Sequence, residues 1–139
     1  MKKIGIVSLV LSFLALGLLP RTISAQADVV TIDIPFAFMV GDTNLPAGTY
    51  EITKVDTYNY RIAAPKGDQK VIFATEPATM QTPAASYTLY FNVYGDTYYL
   101  AKFFHQGQTS GFQLVQTAAE KALATKTPPT TKTVTRKEQ

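Results

Sequence analysis

His105 is the one histidine of a 139-residue chain that has no cysteine. Nucleophilic hydrolysis would need it beside a serine, with an acid to orient the ring. Past residue 27 the serines are Ser86 and Ser110. Gly107-Gln108-Thr109-Ser110-Gly111 puts Ser110 one place late for a G-x-S-x-G elbow, and no strand-to-helix step follows. His105 therefore reads as a strand-end residue ahead of a glycine loop. Glycoside cleavage would need paired carboxylates. Between residues 29 and 119 the acids are instead scattered singly as Asp33, Asp42, Glu51, Asp56, Asp68, Glu76 and Asp96. Most fall at turn positions, where aspartate satisfies local backbone donors. Asp33 and Glu51 fall in strands and face solvent by parity. One histidine without a thiol makes a poor zinc site, and Asp42-Thr43-Asn44 is too short and too weakly charged for a calcium loop. No glycine loop suited to phosphate occurs. The chain offers no catalytic, cofactor-binding or metal-ligating set.

The residue types best suited to recognition are aromatic. Tyr87 to His105 reads YTLYFNVYGDTYYLAKFFH, a hairpin about a Gly95-Asp96 turn. Pairing Tyr94 with Thr97 places Tyr87, Leu89, Phe91 and Val93 on one face with Tyr98, Leu100, Lys102 and Phe104. That face reads as core, with the Lys102 stem snorkelling near one end. The other face carries Tyr90, Tyr94, Tyr99 and Phe103, beside Thr88, Asn92, Thr97 and Ala101. Tyrosine joins apolar area to a polar tip, so these four rings form a candidate platform for a sugar or a small apolar ligand. Tyr and Phe are also ordinary strand formers, and in a closed fold the same rings can pack beneath the tail, a helix or a facing sheet. A slip of one residue would exchange every assignment.

The elements that must hold this hairpin begin at Val30. In VTIDIPFAFMV, Val30, Ile32, Ile34, Phe36, Phe38 and Val40 share one parity, the alternation of a ribbon with one face on a core. Pro35 suits an edge, bulge or bend. Gly41-Asp42 and Pro46-Ala47-Gly48 punctuate before strand resumes at Thr49. A strand to Val55, a turn at Asp56-Thr57 and a return over Tyr58–Ala63 follow, in a register the pattern leaves open. Pro65-Lys66-Gly67-Asp68 makes a turn, Gln69–Thr75 a strand, and Pro77–Ala85 a longer connection. Beyond the Gly107–Gly111 loop, Phe112–Val115 is a last short strand. Thr117-Ala118-Ala119-Glu120 has capping-box spacing, which predicts a short helix to Ala124. Residues 126–139 have little apolar content, and a disordered polar tail is expected there. The sum is an all-β fold: one antiparallel β-sandwich or flattened barrel of seven to eight short strands, closed by a short C-terminal helix. Its connections are too short for crossover helices.

The amino terminus has a different character. Met1-Lys2-Lys3 is a basic start, Ile4–Leu19 an uncharged run, and Ala25-Gln26-Ala27 a small-x-small site. This is the pattern of a secretory signal peptide over residues 1–27, cleaved between Ala27 and Asp28. The run is short for a membrane span and Pro20-Arg21 cuts it off. No span is expected after cleavage. Residues 28–125 then make one domain, large enough for a single core. From Asp28 to Ala119 there are five basic and eight acidic residues; from Glu120 to Gln139 there are five and two. A domain body with an acidic excess offers no field for nucleic acid. Many small exported domains rely on disulfides; without cysteine, stability must come from apolar burial and sheet ladders.

IPFAFMVGDTNLPAGTYEI, then YTLYFNVYGDTYYLAKFF, then GFQLVQTAAEKAL resembles a family of short exported bacterial β-proteins. Its opening is similar to IPFxFxVGxxxLPAGxYxI, and its middle to F-x-x-Y-G-x-x-Y-F-L. Tyr99 stands where that family commonly has Phe. The resemblance spans the domain apart from the tail. It implies export and an all-β fold, and it transfers no functional residue. The expectation is an exported non-enzymatic β-domain, periplasmic or extracellular. It would contact an envelope component, a polysaccharide or another protein. A glycan or small apolar ligand module using the aromatic face is the alternative, and a small hydrolase the second.

Overall fold

The computed structural model describes residues 29–137. The signal segment and the Ala27–Asp28 site lie outside those residues. Among the described residues the elements run β1 (Val29–Ile34), β2 (Phe38–Val40), β3 (Thr43–Leu45), β4 (Gly48–Lys54), β5 (Asn59–Ala63), β6 (Lys70–Thr79), β7 (Thr88–Tyr94), β8 (Thr97–Phe104), β9 (Ser110–Leu114), α1 (Ala118–Lys126) and β10 (Thr130–Thr135). The fold is all-β with one short helix.

The ten strands join in one sheet ordered β1-β4-β5-β6-β9-β8-β2-β3, with β7 on β8 and β10 on β7. This is more strands than the seven to eight expected. Nearly all neighbours are antiparallel. The exception is β2, which meets β8 in parallel at Met39–Tyr99, so the sheet is mixed. Two strands divide their edges between partners. The first half of β6 pairs with β5 and its second half with β9, while β8 meets β2 near Tyr99 and β9 from Lys102 onward. The connection expected from Pro77 is shorter than its composition suggests, because Pro77, Ala78 and Thr79 extend β6 against Phe112, Gly111 and Ser110.

Alternation sets the core. Val30, Ile32 and Ile34 of β1 and Phe38 and Val40 of β2 are buried, and the chain bends at Pro35-Phe36 between them. They pack into one cluster with Tyr50, Ile52, Tyr60, Ile62, Leu89, Phe91 and Phe103. Strands from both ends of the sheet order share this cluster, so the sheet folds over on itself. Phe38 meets Tyr50 edge-on with ring centroids 5.3 Å apart, and Tyr60 meets Phe103 likewise at 4.8 Å. Edge-to-face pairs place the positive rim of one ring on the negative face of the next.

The Tyr87–His105 hairpin departs from simple alternation. Tyr94–Thr97, Val93–Tyr98, Asn92–Tyr99 and Phe91–Leu100 pair as expected about Gly95, whose φ is +61°. Tyr90 then pairs with Lys102, so Ala101 is an extra residue in β8. Such a bulge reverses the faces beyond it. Phe103, expected on the amphipathic face, is fully buried in the main core. Phe104, expected in the core, turns to the opposite side and packs with Ala78, Ala84, Met80 and Tyr90. Gly111 pairs with Phe104, and a Cβ there would lie 2.5 Å from the Phe103 carbonyl oxygen and from the Phe104 ring.

The carboxy-terminal tail corrects another expectation. Thr130–Thr135 forms β10 along the outer edge of β7, and the Arg136 amide donates to the Tyr87 carbonyl at 2.8 Å. Only Val134 of this strand is buried, which is why its composition reads as a polar linker. The threonines are good strand formers, and β7 supplies the ladder that the segment lacks by itself. The exposed Lys132 is suited to an outer edge, where charge discourages further strand pairing.

Candidate functional site

The four rings of the sequence platform do not share an open face. Phe103 lies in the core and Tyr90 is half-buried against Phe104, ring centroids 5.7 Å apart. Tyr94 and Tyr99 remain together, edge-to-face at 5.8 Å, and both are buried. What faces them is α1. Thr117 caps this helix by accepting the Glu120 amide at 3.2 Å, half of a capping box. The other half is not made by Glu120. Its carboxylate, in a residue only 4% exposed, turns toward the sheet. There Oε1 accepts from Asn92 Nδ2 at 3.0 Å and from the Tyr94 hydroxyl at 3.2 Å. Burial, with the Glu120 charge and hydrogen bond next, raises the Tyr94 pKa above its ordinary value. The arrangement holds α1 to β7 and leaves this part of the face committed to structure.

Beside it, a cavity of about 420 Å3 is bordered by Glu76, Asn92, Lys102, Gln113, Glu120 and Lys121. Its charges are of both signs, and Gln113 Nε2 donates to Glu76 Oε1 at 2.5 Å.

The second cavity, of about 570 Å3, is mostly apolar and stands at another end of the sheet. Val30 of β1 and Ile52 of β4 are register partners and both line it. Tyr60 arrives opposite Lys54 across the β4–β5 hairpin, and Phe112 arrives opposite Phe103 across β8–β9. Tyr87, just ahead of β7, and His105, just beyond β8, complete the wall. The rings interlock: Tyr60–Phe112 centroids are 4.9 Å apart and Tyr87–His105 are 4.9 Å apart, the latter edge-on. Tyr60 and Tyr87 are each 5% exposed. Burial raises the phenol pKa of both, and the nearness of Tyr60 raises that of Tyr87 further. Both phenols are therefore neutral donors across the physiological range.

The acid on this rim is already engaged. Asp56 Oδ1 accepts the amides of Tyr58 at 3.0 Å and Asn59 at 2.9 Å. The Asn59 side-chain amide reaches both carboxylate oxygens. These bonds, the Tyr58 amide first, hold the Asp56 carboxyl below its usual range. Asp56 is thus the organiser of the β4–β5 turn. His105 and Asp56 border one cavity, but no serine lines it. Ser110 lies in β9 paired with Thr79. Among the described residues no cluster of three His, Cys, Asp or Glu suited to a metal occurs, and no helix is long and apolar enough to cross a membrane.

Tyr60, Tyr87 and Phe112 were in view in the sequence only as core candidates or strand residues. Their convergence has no local signal, because they come from positions far apart in the chain. Comparison with protein-family models, curated proteins and solved structures finds no match.

Proposed function

We propose that this chain is an exported, non-enzymatic β-domain that works by binding, and that its ligand seat is the cavity walled by Tyr60, Tyr87 and Phe112. The observation that carries the reading is that cavity, about 570 Å3 and lined mainly by apolar and aromatic side chains. Its size falls in the range of small-molecule sites, which are concave, chiefly apolar and supplied with a few polar groups. Binding through the Tyr90–Tyr94–Tyr99–Phe103 face has less support, since those rings are divided among core, helix and a side cluster. The hydrolase alternative is weakened by the engagement of Asp56 in its own turn and by a cavity lining that brings no described serine to His105.

Export rests on the sequence of residues 1–27. The finer architecture that fits the cavity is a flattened barrel running β10-β7-β8-β9-β6-β5-β4-β1, whose last strand comes near its first. The occupant is a small apolar molecule met in the periplasm or outside the cell. To test the reading, full-length chain is expressed in an exporting host and the mature protein recovered. Its first residue should be Asp28. Titration with 2-ethylnaphthalene should shift the resonances of Val30, Ile52 and Phe112 saturably. Shifts confined to other regions, or none, would refute the cavity as the seat. Turnover on ester or glycoside panels that disappears in His105→Ala would refute the non-enzymatic reading.

A further inference from the structure

We infer that the cavity recognises a carbonyl oxygen carried on an apolar body, and that Tyr60 and Tyr87 supply the two hydroxyl donors that read it. This deepens the proposed function and rests on it. Both residues are buried, yet neither hydroxyl has a protein partner among the described residues. No fully enclosed side-chain polar atom is left without a partner among those residues. Both hydroxyls must therefore open onto accessible space, and the space these side chains border is the cavity. Burying a tyrosine ring ordinarily brings its hydroxyl to an acceptor. Tyr50 follows that rule by donating to the Pro46 carbonyl at 2.6 Å. Tyr60 and Tyr87 leave that donor capacity to whatever enters.

The ligand chemistry follows from what the donors are. Two neutral phenols on the wall of one cavity can both donate, and a carbonyl oxygen has two lone pairs to accept. Val30, Ile52, Val55 and Phe112 give the cavity an apolar wall that suits a ring or short chain, while Lys54, Asp56, Thr57 and His105 stand on the same lining, Asp56 engaged in its own turn. A hydrocarbon of the same shape would fill the volume but strand both hydroxyls, since displacing their water with a group that accepts nothing loses those bonds.

The test uses a matched pair, 2-acetylnaphthalene and 2-ethylnaphthalene, titrated by calorimetry into the mature protein and into Tyr60→Phe, Tyr87→Phe and the double variant. The wild type should bind the ketone about fivefold to tenfold tighter than the hydrocarbon, the ratio expected for hydrogen bonds of ordinary net strength. Each single change should reduce the ratio and the double change should bring it near one. Hydrocarbon affinity should hold or rise in the variants, since no hydroxyl is then stranded, and a cooperative urea transition verifies that they fold. A wild type that binds the hydrocarbon without preferring the ketone overturns the inference while the binding reading stands, as does a double variant that keeps the preference. Failure of both probes to bind the wild type removes the cavity reading and this inference together.

Discussion

Two tyrosine sites in this molecule have the same chemistry and opposite commitments. Beneath α1, Tyr94 gives its hydroxyl to Glu120, Asn92 gives its amide to the same oxygen, and Tyr99 packs against the Tyr94 ring. In the cavity, Tyr60 and Tyr87 are as deeply buried, but their hydroxyls meet no protein acceptor among the described residues. The first site is a closed polar contact that fixes a helix. The second is an aromatic wall with donors left over. Ring content does not separate the two sites; under the proposed function, the fate of the hydroxyl does.

The comparison can be broken most severely at the bulge. Inserting one alanine between Lys102 and Phe103 would shift the end of β8 by one place, moving Phe103 out of the core toward the Tyr90 side and Phe104 inward. Both sites depend on that strand, so a loss of about 4 kcal/mol or more is expected, seen as failure of a cooperative urea transition. Gly111→Ala attacks the same crossing from β9, where the added carbon meets the Phe103 carbonyl, and its melting temperature should fall well below that of the wild type.

Glu120→Ala acts on one site only. It leaves the Asn92 amide and Tyr94 hydroxyl without their acceptor, a loss of about 2–3 kcal/mol in urea unfolding. Affinity for 2-ethylnaphthalene, measured below the transition, should be unchanged. A matching loss at the cavity would mean that the two sites are one cooperative unit.

Alkaline pH distinguishes them by charge. Burial raises the pKa of Tyr50, Tyr60, Tyr87 and Tyr94 above the ordinary 10.0, and at Tyr94 the Glu120 carboxylate adds to it. A pKa raised by folding means that the fold favours the neutral phenol. That stability is complete below pH 10 and is lost as pH climbs through the folded values. Melting temperature should therefore fall above pH 10, with tyrosinate absorbance rising in step with unfolding. Asp56 has the opposite sign. Its lowered pKa gives turn stability that is complete above the ordinary 3.8 and lost as pH falls through the folded value. Amide exchange at Tyr58 and Asn59 should quicken there. The smallest effect belongs to Tyr60→Phe and Tyr87→Phe, whose stability should stay within about 1 kcal/mol of wild type because no hydrogen bond to a described residue is removed.

Much of this architecture is legible in one dimension. The alternation from Val30 to Val40 places the burial of β1 and β2 correctly, Gly95-Asp96 locates the tightest hairpin, and Thr117 begins the helix. Three features escape. The bulge at Ala101 carries no composition signal, because alanine is acceptable on either face. The β10 strand looks like a linker, because its pairing energy comes from the edge of β7 and only Val134 needs burial. Glu120 reads as a helix cap from its spacing to Thr117, while its carboxylate answers donors 26 and 28 residues away.

Periodicity and turn chemistry are local, so the chain alone established that this is a disulfide-free β-protein with one short helix capped by Thr117. Which aromatic rings become core, which brace the helix and which line a cavity was settled by folding. Those roles depend on one extra residue in β8 and on partners brought together from distant strands, and neither is written in any single stretch of sequence.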